Sequence, residues 1–330
     1  MPVGMAGTAS PRFHTLDALR GIAAIAVMVY HGGANSPLPM PGGYLAADLF
    51  FVLSGFVLAH GYEAKLLDSM ALKTFVIARL RRIYPVFWLG ALLGCVVLGG
   101  SMTTMVMIPS ITEGGLLFDS NWPLWSLLFE LIANVVWAAA LVRLSTRALG
   151  GLVAVLALAL GAATLTFSVA DMGAFWVTIL PGLVRTFYSF LLGTILFRLY
   201  RRRHRQPQPG MHAWLLLPVL AVLMMLAPAS RTLFDLIMLG LVIPGIVWLG
   251  AHWTLPAPRF AAWLGGLSFP LYCLHAPFVA FVHASGAVMA LFFAAMIALA
   301  ALVDRYFDRP IQARLKSAPQ QACPTAQALI

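Results

Sequence analysis

Ten apolar runs divide the chain, each spanning a bilayer core or nearly so, with short polar or Gly/Pro-rich breaks between them. They lie at about Leu16–His31, Tyr44–His60, Phe75–Leu98, Leu124–Val142, Leu149–Ala170, Gly182–Leu199, Ala213–Leu226, Leu233–Leu249, Leu264–His283 and Ala287–Val303. The pattern predicts an all-α integral membrane protein, a bundle of ten transmembrane helices. No loop is long enough for a soluble domain; the longest, Gly99–Pro123, is the size of a lid. The first run ends at Gly32-Gly33-Ala34 and resembles the core of a signal peptide. Arg20 interrupts it, and cleavage would discard His31, so it is read as an uncleaved helix.

Polar residues inside these runs are few and therefore informative. Arg20 and His31 are eleven residues apart, close to three helical turns or about 16 Å, so they share one face of the first helix. Asp17 lies one turn before Arg20. Ionisable side chains within a lipid-solvated helix are costly and usually serve a task.

Composition agrees with the pattern. The chain is 61% hydrophobic and 10% charged, against roughly a quarter charged in soluble domains. The net charge of +10 is therefore no sign of nucleic-acid binding. With the N-terminus in the cytoplasm, 19 of the 21 basic residues fall on the inner side or at inner helix ends, and only Arg185 and Arg231 fall outward. This one-sidedness predicts an N-in/C-in topology. Cys95, Cys273 and Cys323 have neither disulfide nor metal-ligand spacing, and no His or carboxylate pair has zinc spacing, so no metal is expected. In this topology His31, Asp48, Glu130 and His275 lie in the outer half or near the middle, while Arg20, Arg79 and Arg82 lie near the inner face. That layout suits an anionic donor from the cytoplasm and a reaction directed outward.

Four segments carry a resemblance. They are Leu16-Asp17-Ala18-Leu19-Arg20-Gly21 through His31, Asp48 through Phe56, Phe75 through Pro85 with Arg79 and Arg82 spaced Arg-x-x-Arg, and Trp125 through Glu130. Weaker matches follow at Ser268–His275 and Asp308-Arg309-Pro310. Together they resemble the membrane-bound acyltransferase family 3, the O-acetyltransferases of cell-envelope polysaccharides. The resemblance implies a transmembrane domain over residues 16–310, between a cytoplasmic segment 1–15 and a cytoplasmic tail 311–330. It implies an acyl donor, acetyl-CoA, used as co-substrate from the cytoplasm. It implies a saccharide or glycolipid acceptor at the outer face of a bacterial inner membrane. The extracytoplasmic esterase-like domain of some relatives is not expected here, so any second transfer would need a periplasmic partner enzyme.

Each site residue has two readings. His31 is either the general base for the acceptor hydroxyl, with an acyl-histidine as a variant, or a helix-end residue facing headgroups. Glu130 either orients His31 or pairs with Arg185. Asp48 has the same choice between the chemistry and a helix cap. Arg20 binds CoA phosphates or polarises the thioester, or pairs with Asp17. Arg79 and Arg82 share a helix face and bind phosphate, or act as positive-inside anchors. Tyr272 and His275 line a pocket beyond a helix broken at Pro270. Phe118, Trp122 and Trp125 either stack on sugar rings or form an interfacial belt, and His60, His252 and His283 are interfacial.

The competing class is a secondary transporter, where intramembrane Arg, Asp, Glu and His build relays. Such folds commonly carry repeated halves with paired broken helices. No matching half is found here, which favours an enzyme.

Overall fold

The computed structural model describes residues 12–33, 36–111, 115–203, 207–280 and 286–317. His283, Arg205 and Cys323 lie outside the described residues. The described residues are nearly all helical, and each of the ten apolar runs forms helix over its described part. Seven helical segments are long and apolar enough to cross a membrane: Gly43–Asp68, Leu72–Leu98, Trp122–Ala139, Thr146–Phe167, Trp176–Arg202, Arg231–His252 and Ala287–Leu315. The other three runs form α1 (His14–His31), which carries Asp17 and Arg20, the short α7 (His212–Met225), and α10 (Pro258–Val279).

The remaining helices are α2 (Ala46–Asp68), α3 (Leu72–Leu98), α4 (Trp125–Ala139), α5 (Thr146–Phe167) and α6 (Ile179–Arg202). After α7 come α8 (Arg231–Ile237) and α9 (Ile243–His252), joined by one π-helical turn into a single rod. Then follow α11 (Ala287–Val303), a second π turn at Asp304–Asp308, and α12 (Arg309–Ser317). The only strands among the described residues, Gln208–Pro209 and Trp253–Thr254, form a two-residue parallel pair.

Two helix pairs make the centre: α1 lies along α10, and α2 along α6. An added Cβ at Gly55 would lie 1.9 Å from the Phe190 carbonyl oxygen, and one at Gly193 would lie 2.0 Å from that of Val52. The backbones of α2 and α6 therefore touch where each helix lacks a side chain, as small residues allow between membrane helices. Gly55→Ala is expected to cost about 1–3 kcal/mol by overpacking. Gly61→Ala on the same helix points into open space and serves as control. Equal melting temperatures for the two variants in detergent would show that the contact is not tight.

The prolines act against local expectation. Pro270 does not break a helix: α10 runs through both Pro270 and Pro277. A helical proline frees the carbonyl four residues earlier. Pro277 frees that of Cys273, which accepts from Asn121 Nδ2 at 2.8 Å. Pro85 in α3 frees that of Arg81, which accepts from Gln312 Nε2 at 3.0 Å. Neighbouring side chains thus satisfy backbone that the bilayer cannot. Residues 311–317, expected as part of a tail, are helical, and Gln312 and Leu315 form part of a cavity wall.

Candidate functional site

Arg20, Arg79, Arg81 and Arg82 converge on a cavity of about 520 Å³ at the end of the bundle where α1 begins. The volume suits a small-molecule ligand. Its walls include Phe50, Ser54, Glu130 and Phe269, and it reaches Ser126 and Tyr272. Arg20 has no side chain or carbonyl within hydrogen-bonding reach among the described residues. The alternative reading of Arg20, a pair with Asp17, is not made: Asp17 accepts from Arg12 Nε, at 2.7 Å. Arg82 pairs with Asp308 at 2.7 Å, while Arg79 pairs with Glu130 at 3.2 Å. Four guanidiniums against these two carboxylates leave the cavity cationic, with donor forks suited to phosphates.

Tyr272 and Ser126 mark the far end. Their hydroxyls lie 2.6 Å apart, and the Tyr272 hydroxyl lies 2.9 Å from the Pro123 carbonyl oxygen. One turn further along α10 is His275, whose ring centroid is 6.2 Å from that of Tyr272. His275 is fully buried and lies beyond the cavity wall rather than on it. Its Nε2 is 2.7 Å from Nδ1 of His31, and its Nδ1 is 2.8 Å from the Leu271 carbonyl oxygen. His31 is the last residue of α1 and is half-buried. Trp122 meets the His31 ring edge-on at 5.6 Å. Beside it the Tyr30 hydroxyl donates to Asp171 at 2.6 Å. The Arg20–His31 stripe of α1 thus connects a cationic cavity to an imidazole pair.

Several expected contacts are not made. Glu130 does not reach His31: it accepts from Ser54 at 2.6 Å and from Arg79. Nor does it pair with Arg185. That arginine is held by Asp48, at 2.6 Å, with both side chains 0% exposed. Asp48 also accepts from Ser189, and Arg185 donates to the carbonyls of Tyr44 and Met172. Asp48 is neither a helix cap nor within reach of His31; it is the counter-ion that makes a buried arginine tolerable. Trp125 and Phe118 are buried in the core, Trp125 under Arg185 at 6.0 Å, so neither offers a face to a sugar. Asn121, which no motif marked, ties α10 to α3 by donating to the carbonyls of both Cys273 and Gly90. A polar residue just before an apolar helix was the only available hint.

Comparison with known proteins adds an independent line. A family model described as "Acyltransferase domain" matches residues 13–304. "Protein 2 in picA locus" of Rhizobium radiobacter is 34% identical over 156 residues, covering 38% of this chain and 81% of that protein. The peptidoglycan O-acetyltransferase OatA of Listeria monocytogenes is 37% identical over 75 residues, covering 22% of this chain and 11% of OatA. No solved structure matches.

Proposed function

This chain belongs to the acyltransferase family whose model covers residues 13–304, and from that premise we propose that it moves an acetyl group from acetyl-CoA to a saccharide hydroxyl across a bacterial inner membrane. One observation carries the reading. A single cavity gathers Arg20, Arg79, Arg81 and Arg82 at one end and stops at Tyr272, against the His275–His31 pair, at the other. The ten helices all cross, with the arginine end cytoplasmic and His31 near the outer face, as the distribution of basic residues supports.

The nucleotide and its phosphates sit among the arginines. Arg20 lies about 16 Å along α1 from His31, so it binds the donor's anionic end and does not touch the thioester. The pantetheine arm runs along the cavity and brings the thioester to its far end at Tyr272, against the His275–His31 pair. A hydroxyl of an extracytoplasmic or lipid-linked glycan enters from the outer side. His31 takes the hydroxyl proton as the oxygen bonds to the thioester carbonyl carbon. The carbon–sulfur bond breaks, and the CoA thiolate recovers the proton from the imidazolium. Glu130 holds Arg79 in place, and Asp48 holds the fold. The similarity to a peptidoglycan O-acetyltransferase supports a polysaccharide acceptor for this chain.

Mass spectrometry of envelope glycans from cells with and without the protein tests the reading. An acetyl increment appearing only with the protein is expected. In purified protein, Arg20→Ala is expected to raise the KM for acetyl-CoA about tenfold or more with little change in kcat, since uniform binding is lost. Neither an increment nor acetyl-CoA turnover would favour the transporter.

A further inference from the structure

Resting on the reading of His31 as the base, we infer that His275 is a positioning residue that fixes which nitrogen of His31 is bare. The hydrogen bonds leave one neutral arrangement. A carbonyl oxygen only accepts, so His275 Nδ1, 2.8 Å from that of Leu271, carries a proton. In a neutral imidazole its Nε2 is then unprotonated and accepts. His31 Nδ1 lies 2.7 Å from that Nε2, so it carries the donated proton. The lone pair of His31 is therefore on Nε2, on the ring edge turned away from His275.

The ring geometry agrees. The planes differ by 12° and the centroids are 5.0 Å apart. That separation is what a 2.7 Å nitrogen–nitrogen contact plus two ring radii gives when rings meet edge to edge. The pair is in-plane, with the His275 lone pair aimed along the His31 N–H, rather than stacked face on face.

Without this acceptor, His31 would divide between two tautomers and two ring orientations, and only one presents a base to the hydroxyl. After proton uptake, the His31 imidazolium still donates Nδ1–H to the same lone pair. His275 thus plays the part that an aspartate plays in a hydrolase triad, without bringing a charge into the membrane. Its own tautomer is fixed by backbone, through a helix that Asn121 anchors at Cys273.

Glutamine and leucine at position 275 separate the roles. A Gln Oε1 is the same number of bonds from Cα as a His Nε2. His275→Gln therefore keeps the acceptor and cannot take up a proton, whereas His275→Leu keeps only bulk. His275→Gln is expected to stay within about tenfold of wild-type kcat, and His275→Leu to lose about a hundredfold or more. KM for acetyl-CoA should hold in both, because the arginines are untouched. Gln as inactive as Leu would mean that His275 itself moves the proton, and Leu as active as wild type would remove it from the reaction.

Nitrogen-15 NMR of histidine-labelled protein reads the tautomer without any substrate. The His31 signal is assigned by its absence in His31→Ala. A protonated Nδ1 and bare Nε2 are expected in wild type and His275→Gln, with mixed tautomers in His275→Leu. A protonated His31 Nε2 in the wild type would overturn the inference. A failure of acetyl transfer itself, with the NMR as expected, would instead count against the proposed function.

Discussion

Replacing His31 by alanine is expected to lower acetyl transfer about a thousandfold while the protein still inserts and folds. General-base assistance of this kind contributes between about a hundredfold and ten-thousandfold. The fold should survive because His31 ends α1, is half-buried, and among the described residues spends its one side-chain hydrogen bond on His275. KM for acetyl-CoA should also survive, because the donor's anionic groups bind among arginines about 16 Å away along the helix. The measurements are acetyl-CoA turnover and the glycan mass increment at matched membrane levels. A variant within tenfold of wild type would exclude His31 as the base, and neither Glu130 nor Asp48 reaches its position to replace it.

The second large effect is on stability. Arg185→Ala is expected to cost about 3–5 kcal/mol, because it strands the Asp48 carboxylate in the core. Both side chains are 0% exposed, and Arg185 also satisfies the carbonyls of Tyr44 and Met172. Most of the protein should then fail to run as a monodisperse species in detergent. Asp48→Asn should lose less, since the amide oxygen still accepts. Activity per folded molecule should stay near wild type in Asp48→Asn. A catalytic Asp48 would give the opposite result, a well-folded protein without turnover. The double change Asp48→Leu with Arg185→Met should recover much of the lost stability, since apolar replacement of a buried ion pair is often neutral or better.

The helices were legible because lipid demands long apolar runs whatever the tertiary arrangement. The Arg20–His31 stripe was legible too, because it follows from helical geometry along one segment. Local rules misjudged Pro270, because propensity counts the N–H a proline lacks but cannot see the packing that carries α10 through it; at Pro277 and Pro85, likewise inside helices, Asn121 and Gln312 arrive from elsewhere to satisfy the freed carbonyls. The C-terminal boundary failed for a similar reason. The polar α12 looked like a tail, yet the carbonyl that Pro85 frees and the Arg82–Asp308 pair draw it onto α3.

By itself, then, the sequence determined which segments are helical and which side chains are too costly to lie in a membrane without a role. Only the tertiary structure decided the partners of those side chains. Asp48 is 137 positions from Arg185, Glu130 is 51 from Arg79, and His31 is 244 from His275. Each carboxylate could have served the imidazole on sequence grounds. Burial requires each charge to be neutralised by the nearest opposite charge, and helix packing put arginines beside both acids and a second histidine beside the first.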